Sequence, residues 1–257
     1  MPDIPTSGLP DFRTSGPSPW WEQAFGPLYS EVYHHRDDAA AASEIAGLLP
    51  RLRERSGPVI DAACGGGRHL AALRQAGISA HGFDLSPDLL TLAAQRQPCA
   101  GYLVRGDLRR PPFAAGSCSA VLLLFTAFGY FDEAGNAECL AALAALLAPN
   151  GWMMIDLPER DRLRRTLVPE SSRTTPRGLS VHEHRSLVGE RVEKTVVVEN
   201  AGRRVATWSE SVRLYAPCEI DNLADGCGLA LVDCWPSLYG PDIDDGRVIY
   251  WLRRTVA

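Results

Sequence analysis

The chain has 257 residues, 46% of them hydrophobic, and a formal net charge of −5. That is enough apolar material for one domain with an elaboration, and an acidic balance that does not suit a global polyanion-binding surface. No run is long enough to span a bilayer, the first nineteen residues lack the basic start and apolar core of a signal peptide, and the seven cysteines show no CxxC spacing, so a cytoplasmic protein with reduced thiols and no metal site is expected.

Residues 1–19, rich in Pro, Ser, Thr and Gly, read as a flexible leader. From Trp20 the character changes: Trp20, Trp21, Phe25, Leu28, Tyr29, Val32 and Tyr33 recur at helical spacing, and predict a helix with an aromatic face. A second helix over 38–54 leads into the first strand. There Val59 and Ile60 open an apolar run that ends at Asp61, and three glycines, Gly65 to Gly67, follow. From Arg68 the pattern turns helical, with Leu70 and Leu73 three apart and Gly77 as a stop. A second strand ends at Asp84.

Glycines in such a turn admit positive φ and let a ligand touch bare backbone, while the N–H groups of the next helix face that ligand. A dinucleotide fingerprint would need a third glycine at position 70, which is Leu70. A carboxylate just before the glycines also suits an ammonium better than phosphates. Asp84 stands where an acid accepts both hydroxyls of a ribose. An amino-acid moiety at the glycines and a ribose at Asp84 together describe S-adenosylmethionine.

Ser86-Pro87 starts a helix that carries Leu89, Leu90, Leu92 and Ala93 before Pro98. Residues 102–105 form the third strand, with Gly106 and Asp107 at its end. Asp107 reads as a ligand contact or as a capping aspartate of a turn. A continuously apolar central strand over 120–125, a helix over 136–147 and a fifth strand over 151–156 follow. Such alternation implies a parallel sheet with right-handed crossovers and a ligand beyond the carboxyl ends of its strands. Asp61, Asp84, Asp107 and the 126–131 segment all fall at those ends.

Residues 158–216 break the alternation. Near-alternating segments at 180–187, 191–199 and 203–214 predict three inserted antiparallel strands. A helix over 217–227 and strands over 229–235 and 247–254 complete the chain. The expected fold class is α/β: a seven-stranded doubly wound sheet, mostly parallel with a C-terminal antiparallel hairpin, plus the inserted antiparallel excursion.

Asp61-Ala-Ala-Cys-Gly-Gly-Gly-Arg-His-Leu, Gly82-Phe-Asp-Leu-Ser and Arg105-Gly-Asp107-Leu-Arg resemble, in order and spacing, the class I S-adenosylmethionine-dependent methyltransferases. Phe125-Thr-Ala-Phe-Gly-Tyr-Phe131 and Leu147-Ala-Pro-Asn-Gly151 continue the resemblance. Asn150 stands where that family has paired glycines, and asparagine also tolerates left-handed backbone. The resemblance implies S-adenosylmethionine as cofactor, bound to a core of residues 57–157 completed by 217–257. Tyr29, Tyr33 and Arg36 would close over its methionine end from a helical lid of residues 20–56. Asp61, Ala62, Cys64, Gly65, Gly67 and Arg68 would meet it at the first turn, and Asp84, Leu85 and Ser86 at the ribose. Gly106, Asp107 and Leu108 would flank the adenine, with Phe125, Thr126 and Tyr130 beyond the fourth strand. The family often carries a substrate cover or dimer contact where residues 158–216 stand.

Methyl transfer from a sulfonium is an in-line displacement that rests on positioning, and it needs a base only when the nucleophile arrives protonated. Tyr130, His182 and His184 are the catalytic candidates; Phe128, Phe131, Arg213, Tyr215 and Tyr239 are the substrate candidates. Alternation puts His182 and His184 on one strand face, which suits a pocket lining or an ordinary half-exposed face, and two histidines without a third ligand are no metal site. Phe128 and Phe131 read as an aromatic wall or as core. Arg109-Arg110 reads as a solvated surface pair. The 126–131 segment is not the Asn/Asp-Pro-Pro-Tyr/Phe motif used for base or glutamine amide nitrogens, which argues against such acceptors. The first expectation is methyl transfer to N or O of a small molecule. The alternatives are an RNA or protein methyltransferase, with Arg173, Arg177, Arg185, Arg191, Lys194, Arg203 and Arg204 forming a basic groove, and a cofactor-binding protein without transfer activity. Nucleic acid and membrane are not expected partners, and an exposed edge of the inserted strands allows a homodimer.

Overall fold

The computed structural model describes residues 19–255, so the expected leader lies outside the described residues except for Pro19. Seven strands form one sheet: β1 (Val59–Ala62), β2 (Ala80–Asp84), β3 (Leu103–Arg105), β4 (Cys118–Leu123), β5 (Leu147–Pro158), β10 (Leu229–Trp235) and β11 (Arg247–Arg254). Their order is β10-β11-β5-β4-β1-β2-β3, and β11 alone runs antiparallel to its neighbours. The chain winds outward from β1 to β3 and then crosses to β4. This reversal opens a crevice beyond the carboxyl ends of β1 and β4.

The unbroken apolar runs of the strands follow from cover on both faces. In β4, Ala120 and Leu122 join a cluster with Ile45 and Leu48 of α3 (Asp38–Leu52) and Leu70 and Leu73 of α4 (Arg68–Gln75). Val121 and Leu123 face the other way, into a cluster with Leu140 and Leu143 of α6 (Glu133–Ala145) and Ile220 of α8 (Pro217–Asp225). The helix α5 (Pro87–Ala94) starts as expected at Ser86, whose hydroxyl accepts from the Leu89 N–H. Asn150 does adopt the left-handed conformation, at φ 62°. Among the described residues no helix is long and apolar enough to cross a membrane.

Three expectations need correction. The aromatic segment is two short helices, α1 (Trp20–Ala24) and α2 (Tyr29–Val32), because Gly26 and Pro27 interrupt the turn between them. The helix expected from Asn136 begins at Glu133, capped by Asp132, whose carboxylate accepts from the Gly135 N–H at 2.8 Å. The inserted strands number four, β6 (Glu170–Thr174), β7 (Ser180–Val188), β8 (Arg191–Asn200) and β9 (Arg203–Arg213), in a separate antiparallel sheet. They follow a helix, α7 (Arg160–Thr166), that buries no residue and so leaves no apolar period in the sequence. One face of this sheet receives the N-terminal helices: Ala24, Val32 and Tyr33 pack with Val181, Val196, Val198 and Trp208.

Candidate cofactor and acceptor site

The turn after β1 is built as its glycines require. Gly65 and Gly67 have φ of 53° and 75°, and a Cβ on Gly67 would lie 2.8 Å from the Cβ of Ala93. Asp84, at the end of β2, ties this turn to the next one: its Oδ2 accepts from the Gly65 N–H and its Oδ1 from the Ser86 N–H, both at 2.8 Å. Burial raises its pKa, and those backbone donors oppose the rise. Each oxygen keeps a lone pair for a further donor. Asp61 is different. It is 1% exposed, and its Oδ2 has no hydrogen-bond partner among the described residues. Desolvation pushes its pKa up to about 7 despite the nearby Arg68. Ala62 and Cys64 are buried beside it; burial also pushes the Cys64 thiol well up, so it stays protonated and unreactive.

The N-terminal helices lie over these turns. The Ser86 hydroxyl donates to the Phe25 carbonyl at 2.7 Å and so fastens them to the end of β2, one residue beyond Leu85. The Arg36 guanidinium donates to the Tyr29 hydroxyl at 2.8 Å and lies 4.3 Å from the Tyr33 ring centre and 4.4 Å from that of Phe125. Its Nε is buried without a partner, and no carboxylate pairs with it among the described residues. Arg68 also lies 4.4 Å from the Phe125 ring; its Nη1 meets Glu44 at 3.2 Å, while its Nη2 is buried and unpartnered. Glu44 in turn holds His69 at 2.6 Å.

Phe125 and Thr126 reach this place through strained backbone, with φ of 60° and 66°. Asp156, fully buried at the far end of β5, holds them: its Oδ2 accepts from the Phe125 N–H at 2.6 Å, and its carbonyl from the Thr126 N–H at 3.1 Å. Arg247 pairs with Asp156 and donates to the Thr126 hydroxyl at 3.0 Å. Sequence reasoning missed Glu44, Asp156 and Arg247. The one signal was an acid closing an otherwise apolar strand.

Tyr130 lies against the N-terminal helices, its ring 5.0 Å from Trp20 and 5.8 Å from Phe25. Its hydroxyl makes no hydrogen bond among the described residues. Burial, with the charges of Glu210 and Asp84 nearby, raises its pKa. Tyr33 donates to Glu210 and accepts from Lys194, each at 2.8 Å, and burial first, then Glu210, raises its pKa too.

Asp107 is capped by its own neighbour. Arg109 meets both its oxygens, at 3.0 and 2.7 Å, and lies 4.4 Å over the Phe131 ring, so Arg109 is no solvated surface residue. Burial would raise the Asp107 pKa, and the Arg109 contacts bring it below the ordinary value. Gly106 donates to the Asp84 carbonyl, and Leu108 turns into the core.

The other candidates are not brought together. Phe128 and Tyr215 are core residues with ring centres 5.3 Å apart. Arg213 is buried and tied to Glu133, Glu219 and the Leu214 carbonyl. Phe131 does meet the N-terminal helices, 5.0 Å from Trp21. Tyr239 is half-exposed beside α3, where its backbone crosses Gly47. His182 and His184 point away from the lid, with side chains 49% and 63% exposed, because Val181 and Glu183 between and before them take the covered face. No group of metal-binding side chains occurs among the described residues.

Residues 59–151, which carry both turns and the first four strands, match the family described as methyltransferase domain. The chain is 34% identical over 149 residues to a dTDP-3-amino-3,6-dideoxy-alpha-D-glucopyranose N,N-dimethyltransferase of Streptomyces fradiae, covering 56% of each chain. It is 36% identical over 125 residues to a dTDP-3-amino-3,4,6-trideoxy-alpha-D-glucopyranose N,N-dimethyltransferase of Streptomyces venezuelae, over 47% of this chain and 51% of that one. The match thus spans about half the length of these curated relatives. In fold it is similar to the sugar N-methyltransferase KedS8 of Streptoalloteichus sp., with a TM-score of 0.67 at 20% identity over 97% of this chain and 99% of that one. The glycine turn, the strand-end acids and the order of the central strands thus lie in a stretch that matches a methyltransferase domain, in a chain whose fold is similar to that of solved methyltransferases.

Proposed function

We propose that the chain transfers a methyl group from S-adenosylmethionine to the nitrogen of a small amine-bearing molecule, of the amino-sugar class on which its curated relatives act by name. The observation that carries the cofactor half is the buried, unpartnered Oδ2 of Asp61 beside the glycine turn, with Arg68 and Asp84 as its charged neighbours. A buried carboxylate without a partner is costly, and an amino-acid ammonium supplies what it lacks.

When bound, the cofactor supplies an activated methyl on a sulfonium. Asp61 would hold its ammonium, Arg36 and Arg68 its carboxylate, and Asp84 its ribose hydroxyls. The aromatic faces of Tyr29, Phe25 and Tyr130 suit cationic groups, and α1 and α2 keep water from the turn. The Tyr130 hydroxyl, without a partner among the described residues, would orient the acceptor. An amine that arrives neutral needs no base, only placement in line with the methyl, which is worth on the order of 7–11 kcal/mol.

Most of the expected basic groove for RNA is already paired, which leaves Arg203 and Arg204 as its exposed arginines without an ion pair among the described residues. Arg173 and Arg185 pair with Glu183, Arg177 with Glu31 and Lys194 with Glu210, while Arg191 is spent on backbone carbonyls. A second copy would pair along β6 or β9, the two edges of the inserted sheet, and sedimentation velocity reads whether it does.

The test is label transfer from methyl-labelled S-adenosylmethionine to a panel of nucleotide-linked amino sugars, simple alkylamines, their hydroxyl analogues and RNA. Label on the amine nitrogen is expected. Label confined to hydroxyls or to RNA overturns the reading, and tight cofactor binding with no transfer at all supports the silent alternative instead.

A further inference from the structure

Resting on that reading of the site, we propose that Arg191, in the inserted sheet, is a positioning residue for the acceptor: it fixes the main chain of residues 129–131 so that the Tyr130 hydroxyl meets the acceptor nitrogen. Arg191 opens β8 and forms no ion pair with a carboxylate among the described residues. Its guanidinium is used wholly as a fork of hydrogen-bond donors. Nη1 donates to the Phe131 carbonyl at 3.0 Å, and Nη2 to the carbonyls of Gly129 at 3.1 Å, Tyr130 at 3.3 Å and Ser211 at 2.9 Å. Nε donates to the Ser211 hydroxyl at 2.7 Å. Three successive carbonyls of one loop are thus gathered by one side chain, whose other anchor is the neighbouring strand β9.

The loop needs this because it has no ladder of its own. Gly129 has φ 98°, and a Cβ there would lie 2.8 Å from the Arg213 carbonyl, so the loop runs close against β9. Its other fixed points are the Arg213 N–H, which donates to the Gly129 carbonyl at 2.9 Å, and Asn136, whose amide brackets both backbone groups of Phe131. Those contacts hold the two ends of the segment. The Tyr130 carbonyl between them is held by Arg191. A lysine keeps the charge but is a single point donor and cannot serve three carbonyls and a serine at once. The inserted sheet is thereby part of the acceptor site, a role in which a shift of about 1 Å costs on the order of a hundredfold in rate.

The experiment uses the full chain, an amine acceptor that the wild type methylates, and the variants Arg191→Lys, Arg191→Gln, Tyr130→Phe and the double Arg191→Lys/Tyr130→Phe. The Arg191 variants should lower kcat/KM for the acceptor by about ten- to a hundredfold, with the calorimetric Kd for cofactor held within about twofold. In the Tyr130→Phe background the lysine change should cost less than about threefold, because the two residues act as one unit. Losses that multiply in the double variant, or cofactor affinity falling in step with turnover, would overturn the proposal. If the wild type methylates no amine, the functional reading fails separately. Amide exchange then decides on Arg191 by itself: faster exchange confined to residues 129–131 in the lysine or glutamine variant supports the clamp, and unchanged protection sinks it.

Discussion

Replacing Asp61 by asparagine separates what this carboxylate costs the fold from what it does for the ligand. In the free chain its pKa stands at about 7 against an ordinary 3.8, because burial leaves the ionised form without water. The carboxyl is harder to ionise folded than unfolded. Its favourable contribution is therefore complete below about pH 3.8 and is lost as pH rises to about 7. At about 1.4 kcal/mol per tenfold, that displacement is on the order of 4 kcal/mol at pH 8. Asp61→Asn should remove the cost and raise the melting temperature of the ligand-free chain at pH 8 by several degrees, with little change at pH 4, as read by scanning calorimetry. The same substitution should cost most of the affinity for S-adenosylmethionine. In the wild type, affinity should rise about tenfold per pH unit up to about pH 7 and then level off, with proton release measurable in buffers of different ionisation enthalpy. In the variant the slope should vanish. A variant less stable than wild type by the same amount at pH 4 and pH 8, or one that keeps the slope, would refute the reasoning.

Two further substitutions test the groups around the lid. Arg36→Lys keeps a cation but loses the planar fork, so the calorimetric Kd for cofactor should weaken by about ten- to a hundredfold while the ligand-free melting temperature holds. Glu183 is buried, yet its ion pairs with Arg173 and Arg185 and the nearby charge of Lys194 outweigh burial and bring its pKa to about 2 from an ordinary 4.5. Its folded value is depressed, so its stabilisation is present above about pH 4.5 and lost as pH falls toward 2. Glu183→Gln should destabilise the chain by about 3 kcal/mol in urea titrations at pH 7 and make little difference near pH 2.

The proposed nucleoside half of the site was legible because its physics is local. A strand ending in an acid, a turn with positive φ and an acid one strand further on leave fixed spacings, and the structure puts Asp61, Gly65, Gly67 and Asp84 where those spacings say. Alternation also placed His182 and His184 correctly on one face. Which face is covered is decided by where α1 and α2 dock, and that contact joins residues more than a hundred positions apart. The break between those helices was written in Gly26 and Pro27, but the recurrence of aromatics hid it. The acceptor side was closed to sequence reading for another reason. The Arg191 side chain and the Arg213 N–H bond the main chain of a distant loop, and a bond to a carbonyl leaves no mark on the residue type that supplies the carbonyl.

What the buried polar atoms lack distinguishes a ligand site from ordinary packing. Across the inserted sheet every buried carboxylate near the lid is answered: Glu183 by two arginines, Glu210 by Tyr33, Trp208 and Lys194. Unpartnered donors also occur at Arg74, Arg173 and Tyr215, and at Arg51, Trp152 and Trp251, where the guanidinium lies 5.0 to 5.2 Å from the tryptophan ring centres and its charge meets aromatic faces and Asp233. That cluster lacks only acceptors for donors of one kind and is complete as packing. The lid end of the first turn is different, because Asp61 Oδ2, Arg36 Nε and Arg68 Nη2 are orphans of both signs. Each unanswered atom costs about 1–3 kcal/mol. A small zwitterion answers all three together, so a free amino acid alone should compete weakly for this turn, and a nucleoside without the amino-acid tail should lose most of the affinity even with Asp84 intact.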